Sequence, residues 1–541
     1  MRLPMVFIAW LVHPLCWCQS YDLILRGGTV YDGLGGAPVT ADIGIRADTI
    51  AAIGNLSAAS GTTEINVKGL AVAPGFINML SWADGTLLQD SRAMSDLLQG
   101  VTLEVFGEGL SPGPRKRKAG DHLWTTLGGY FDYLAKKGVS PNFASFVGAT
   151  TLRTYVIGYQ NRAPSPQELR EMKSLARQAM EEGAMGVGSS LIYAPATFAT
   201  TEELIELCKV AREYGGMYIT HMRSESDRIL PALEETFRIS KEADLPAEIY
   251  HLKINHARNW NKIDTVLFKI DSAQKAGLKI SANIYPYDFS ATGLKERVPN
   301  WAQEGGMEQM RRRIRNPATR TKILYDMENG IPTLNSTPDK VMLLGFKKDS
   351  LARLYKGKRL DVVARLHGKS ADETVLDLLI ADKTSIPAAY FLIDEKNMEE
   401  MLQQPYVSIG SDAGALALTK DFEELGAHPR AYGTFAKVLG KYVREKRLMT
   451  LEEAIRRMTS LPASHLKIRK RGILKPGQYA DVVVFDPGRI QDLATIDNPH
   501  RYARGVVHVF VNGTAVVKDG EHTGAKPGRC VRGPGWKGNR P

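Results

Sequence analysis

One glutamate, two histidines and one aspartate stand at the ends of short β-type runs: Gly107-Glu108-Gly109, Thr220-His221-Met222-Arg223, Tyr250-His251-Leu252-Lys253 and Gly410-Ser411-Asp412-Ala413. Two imidazoles and a carboxylate with a fourth position open make a zinc site of the catalytic type. An aspartate beside such a site has the character of a general base. Taken singly, each has a structural explanation, such as a strand-end histidine satisfied by its neighbours or an aspartate capping the next helix. The chemistry follows only if one fold brings the four ends together.

The elements that must do so are legible between residues 71 and 470. Candidate strands at 71–80, 101–107, 145–148, 185–189, 217–220, 248–251, 280–285 and 406–411 alternate with helical patterns such as 166–182, 202–214 and 263–276. Strands and helices in this alternation predict an α/β fold, a (β/α)8 TIM-like barrel whose strand C-termini share one mouth. An open doubly wound sheet is the second choice, but no Gly-x-Gly-x-x-Gly follows a first strand. The interval between the seventh and eighth strands is too long for one connection, and 291–344 reads as an inserted small domain. Short β runs between turns at 21–70 and again at 471–525 predict a small β-sandwich built from both chain ends. A basic tail follows from 526.

The composition suits a folded chain of 541 residues, with 43% hydrophobic and 24% charged residues. The formal charge of +11 is spread over short clusters such as Arg115-Lys116-Arg117-Lys118 and Arg311-Arg312-Arg313, with no aromatic-interleaved basic motif or finger spacing. Nucleic acid is therefore not an expected partner, whereas a basic surface suits a substrate that carries a carboxylate. Met1-Arg2, the apolar stretch 6–15 and small residues Cys18 and Ser20 read as an export signal over residues 1–20, which would place the mature chain in the periplasm or outside the cell. No other stretch is apolar for long enough to span a membrane. Cys208 and Cys530 then remain, which allows one disulfide without implying it. The sequence leaves a homo-oligomer open.

The run Ala71-Val72-Ala73-Pro74-Gly75-Phe76-Ile77-Asn78 resembles the first-strand signature of the amidohydrolase superfamily, and specifically its D-aminoacylase (N-acyl-D-amino-acid deacylase) family. Gly148-Ala149-Thr150-Thr151-Leu152-Arg153, Thr220-His221-Met222-Arg223-Ser224-Glu225, Tyr285-Pro286-Tyr287 and His428-Pro429-Arg430 extend the similarity in order, from about residue 21 to 520. The resemblance implies the barrel, the split sandwich and the insertion. It also exposes departures. The superfamily's His-x-His at the end of the first strand is replaced by Leu80-Ser81-Trp82, its cysteine ligand after the second strand is absent, and Ala149 stands where a histidine is expected.

What the resemblance carries over is His221 and His251 as metal ligands and Asp412 as catalytic base. Glu108 as third ligand is inferred from place and chemistry, with Glu104 as the fallback. One divalent ion is expected rather than two, with zinc the first choice, although a carboxylate is a harder ligand than a thiolate. The implied reaction is hydrolysis of the amide of an N-acyl-D-amino acid. Arg430 and Tyr285 match carboxylate-binding positions, Lys253 and Arg223 are further cationic candidates, and Tyr193 is a candidate wall of the acyl pocket. Arg223 has a salt bridge, for instance to Glu225, as an almost equal alternative. His256 and His428 are placed near the site, His256 as a loop residue. Other amide hydrolysis on the same scaffold (a dipeptidase, a cyclic-amide hydrolase) and a non-catalytic binding protein are the remaining readings.

Overall fold

The computed structural model describes residues 20–538 apart from 118–122, 331–333 and 335. The expected export signal lies outside the described residues except for Ser20. No helix among the described residues is long and apolar enough to cross a membrane.

The barrel strands are Phe76–Asn78, Val101–Phe106, Asn142–Ser145 continued by Val147–Gly148, Gly186–Ser190, Met217–His221, Ala247–Ile249, Ile280–Ile284 and Val407–Ile409. Their neighbours pair in parallel throughout. The last strand meets the first through the Asp412 N–H to the Leu80 carbonyl at 2.9 Å and a parallel bridge between Ser81 and Ala413. All these strands are buried on both faces, as a parallel sheet covered by helices requires. The helices between them carry their own start signals. Pro166–Glu181, for example, opens with Ser165 and Glu168 in a reciprocal capping box and Pro166 in its first turn.

The run 71–80, expected as one strand, is two. Ala71–Pro74 belongs to the sheet formed by the chain ends, and Phe76–Asn78 begins the barrel. Gly75 makes the change of sheet, and a Cβ there would sit 2.2 Å from the Thr102 hydroxyl, so only glycine fits. The two chain ends join where Val482–Phe485 runs antiparallel to Ala71–Pro74, within one sheet of nine strands.

The insertion is longer than 291–344. Its antiparallel strands Ser290–Gly293, Val341–Leu343 and Pro387–Tyr390 enclose a separate apolar core that runs from Leu294 to Leu392. Helices Leu360–His367 and Ala371–Asp382 give Leu360, Val363, Val375 and Leu379 to this core. The basic tail is likewise not free. Its backbone pairs with the third strand, from the Phe143 N–H to the Arg529 carbonyl and from the Val531 N–H to the Phe143 carbonyl, and Arg532 meets Asp132. Cys208 and Cys530 are both free thiols.

Arg153 fixes the outer ring near the mouth. Its guanidinium, 1% exposed, binds Glu203 at 2.5 Å and the carbonyls of Gln160 and Arg162, tying the helix Ala149–Val156 to the helix Thr201–Glu213. Arg153→Ala leaves the Glu203 charge buried and unpaired, so it should lower unfolding free energy by about 3–5 kcal/mol. A double replacement by Met and Leu should cost clearly less. Urea unfolding of the three proteins checks both, and equal losses would refute the ion-pair account.

Candidate functional site

Glu108, His221 and His251 come together at the mouth, each offering one ligand atom, all within 4.8 Å of one another. Glu108 Oε1 lies 2.9 Å from His251 Nε2 and 3.3 Å from His221 Nδ1. The two imidazoles meet edge to face, with centroids 4.4 Å apart. His251 takes a left-handed backbone conformation (φ 38°) and Asp412 another (φ 50°), a strain that persists only where neighbours over-determine it. For His251 the restraint is visible. Its N–H donates to Asn283 Oδ1 at 2.7 Å, and the Asn283 amide is anchored on Glu248. For Asp412 it is the backbone bond to Leu80.

Burial holds both histidines neutral. It pushes His221 well below its ordinary value and His251 down to about 3, with Lys253 adding to the effect at His251. Neutral imidazole is the form that ligates a metal. Burial, and then the Asp412 charge, drive the Glu108 carboxyl well above the usual range. Carboxylates Glu108, Glu225 and Asp412 thus crowd one mouth, with Lys253 and Arg430 as cations beside them. A divalent cation held by Glu108, His221 and His251 fits this donor set and relieves the excess of negative charge.

Glu104 is not part of the group. It lies four residues earlier, within the strand Val101–Phe106, 3.1 Å from Asn78 Nδ2, which also reaches Asp96 and Ser411. Arg223 does not reach the site either. Glu235 takes its Nε and Nη2 at 2.9 and 2.8 Å, and the Thr197 and Ala199 carbonyls take the rest of the fork. Its partner is a residue of the next helix rather than Glu225. Lys253 is at the site, but its ammonium is taken by Glu225 at 2.5 Å and by the His251 carbonyl at 3.0 Å. It braces His251 rather than presenting a free cation to a substrate.

Arg430 and Tyr285 stand beside Asp412. Arg430 Nη1 is 2.8 Å from Asp412 Oδ2, and the guanidinium lies 4.6 Å over the Tyr285 ring. The buried Tyr285 hydroxyl and Arg430 Nε find no well-formed hydrogen bond among the described residues. Both are donors, so one group able to accept from both would satisfy them. Tyr193 packs edge-on against His221 at 5.0 Å. His428 stands behind the site, accepting the Arg430 N–H and donating to the Phe289 carbonyl, while His256 faces a different cavity. The cavity at the mouth, about 420 Å³, is lined by Trp82, Glu108, Tyr193, His221, Asp412 and Arg430. Leu110 and, from the insertion, Met307 and Met310 line its outer part.

Two participants are not evident from sequence. Glu225 Oε1 lies 3.0 Å from His251 Nδ1, placed to accept its N–H and leave Nε2 free for a ligand role. The signal available for it is its position four residues after His221. Trp82 points its indole N–H at Asp412 Oδ1, 3.0 Å away.

The family model described as "Amidohydrolase family" matches residues 63–517. The chain is 35% identical over 528 residues to the D-aminoacylase of Alcaligenes xylosoxydans xylosoxydans, covering 95% of this chain and 98% of that protein. It is 32% identical to the N-acyl-D-glutamate deacylase of the same organism, covering 95% and 97%. The solved structure of N-acyl-D-glutamate deacylase from Bordetella bronchiseptica, in complex with zinc and a phosphonate mimic of the tetrahedral intermediate, matches at a TM-score of 0.80 and 30% identity, over 95% of this chain and 100% of that one.

Two outcomes follow from the geometry. Glu225→Gln removes the carboxylate behind His251 and should weaken zinc binding about 10- to 100-fold, read by titration of the metal-free protein. An unchanged affinity would separate Glu225 from the ligand set. Burial holds the Glu104 carboxyl up at about 7 against 4.5 when free, so the unfolded chain sheds this proton first as pH rises. The folded state therefore loses stability between pH 4.5 and 7, by at most ~1.4 kcal/mol per pH unit. Glu104→Gln keeps the neutral form, and its Tm relative to wild type should climb across that window and level off above it. A difference that is flat with pH would refute the buried, neutral carboxyl.

Proposed function

The chain belongs to the amidohydrolase family, and we infer that it hydrolyses the amide bond of N-acyl-D-amino acids with one divalent metal ion, zinc, held by Glu108, His221 and His251. The observation that carries this reading is the 2.8 Å contact between Arg430 and Asp412 beside the unpartnered Tyr285 hydroxyl. In an N-acylated amino acid the scissile nitrogen and the carboxylate hang on the same carbon. A residue that moves the proton at that nitrogen must therefore sit next to the residues that hold the carboxylate. Arg430 offers the planar fork a carboxylate prefers, and the Tyr285 hydroxyl a second donor; burial raises the phenol well above its ordinary range, so it remains a donor.

When bound, the ion supplies Lewis acidity, polarising the amide carbonyl and acidifying water. Asp412 takes the proton of the attacking water and returns it to the amine as the C–N bond breaks, so one carboxylate serves both halves of the reaction. Arg430 and Tyr285 orient the amino-acid half. Tyr193, Leu110, Met307 and Met310 give the outer cavity an apolar wall against which an acyl chain or a neutral side chain packs, and which keeps bulk water from the floor. The D preference rests on the relatives.

Metal content measured together with hydrolysis of paired N-acetyl-D- and N-acetyl-L-amino acids tests this. The expected result is about one ion per chain and D-selective cleavage, with Asp412→Asn lowering kcat by about 10²- to 10⁴-fold while metal content holds. Bound metal without cleavage of either series would move the substrate to a different amide. An absence of both, with zinc supplied, would leave a binding protein.

A further inference from the structure

Trp82 occupies a place where the superfamily resemblance leads to a histidine, and nothing in the reaction above uses it. The backbone sets it opposite the base. The first and last strands zip together beyond their ends, through the Asp412 N–H to the Leu80 carbonyl and the Trp82 N–H to the Ala413 carbonyl, each 2.9 Å. This register faces the two side chains, and the indole N–H donates to Asp412 Oδ1 at 3.0 Å while Arg430 holds Oδ2 at 2.8 Å. Trp82 also lines the floor of the cavity, next to Glu108, His221 and Asp412.

We propose that Trp82 is the positioning residue for the base, its indole N–H fixing one oxygen of Asp412 so that the other faces the reacting nitrogen. The inference rests on the reading of Asp412 as the proton carrier. Arg430 alone cannot perform this task through a reaction cycle, because an incoming carboxylate competes for the same guanidinium. With substrate bound, Arg430 is shared between two anions and Trp82 keeps the orientation. The indole suits the position chemically. It donates one hydrogen bond and has no lone pair in the ring plane, so it neither accepts the proton that Asp412 carries nor ligates a metal. An imidazole at the same place would do both. Among the described residues, Glu108, His221 and His251 form the one group able to hold an ion, which is consistent with an indole rather than a cation serving Asp412.

The test is Trp82→Phe, which removes the N–H and keeps an aromatic wall, assayed as the zinc-loaded full chain. The expected result is a kcat about 10- to 100-fold lower, the loss of one hydrogen bond to a charged group, with KM within about twofold and metal content unchanged. In protein labelled with ¹⁵N-tryptophan, the indole signal that disappears in Trp82→Phe should shift on Asp412→Ala. A wild-type kcat in Trp82→Phe, or a rise in KM with kcat intact, would reduce Trp82 to a wall of the pocket. Loss of the metal would make its effect one on the ligand set, and an indole signal that ignores Asp412→Ala would remove the hydrogen bond itself. Were wild type to cleave no N-acyl-D-amino acid, the substrate reading would fall, while the indole signal would still decide the pairing of Trp82 with Asp412.

Discussion

The crowding of negative charge at the barrel mouth is the constraint on which the rest of the structure depends. Glu108 and Glu225 are each 3% exposed, and Asp412 stands close behind them. Water cannot solvate these groups there, and Lys253 and Arg430 do not neutralise all of them. Charges in such a place are tolerated only in fixed geometry, because the interior pays back desolvation only to partners at hydrogen-bond distance. Hence the density of cross-strand ties around the site, from Lys253 to Glu225, from Asn283 to the His251 backbone and from Trp82 to Asp412. Two residues in left-handed backbone conformation, His251 and Asp412, show that the fold holds strain to keep this arrangement.

A parallel barrel is well suited to holding it, since each strand delivers its C-terminal residue to the same rim and the helices behind supply rigidity. Glycine at position 75 lets one stretch of chain serve first the terminal sheet and then the barrel, so the sheet formed by the chain ends is rigidly joined to the first strand and through it to Trp82. The insertion has a core of its own and reaches the cavity with Met307 and Met310. The barrel rim thus sets the polar floor, and a separately folded unit sets the outer wall. Changes in substrate side chain or acyl group can be met by the insertion without disturbing the charge cluster.

The parts legible in the sequence were those whose signal is local. A strand-end Glu, His, His and Asp in the order of a barrel implied one mouth, and the structure brings Glu108, His221 and His251 within ligand distance of each other. Arg223 misled because its partner, Glu235, lies on the following helix, and residue type alone does not separate a substrate-binding arginine from one committed to a neighbour. Lys253 misled in a subtler way, since it is at the site but its donors are used in bracing His251. The insertion was cut short at 344 because an amphipathic helix packing on a small satellite core has the same 3.6-residue pattern as one packing on a barrel. The C-terminal strap was illegible for the opposite reason. It has no periodicity, and its attachment to the third strand is made by backbone groups that every residue carries.

The exchange of a thiolate for Glu108 is the departure with the widest consequences. A carboxylate preserves the charge of the ligand set but holds its proton differently. Burial and the neighbouring Asp412 push the Glu108 carboxyl upward, so in the metal-free chain this ligand competes for a proton. A divalent ion held by Glu108, as proposed, would displace that proton, and its own charge would make the carboxylate the favoured form. Asp412 itself is held by Arg430 at 2.8 Å and by the Trp82 indole N–H at 3.0 Å. With leucine and tryptophan in place of the first-strand histidines, Asp412 is held by one guanidinium and one indole N–H.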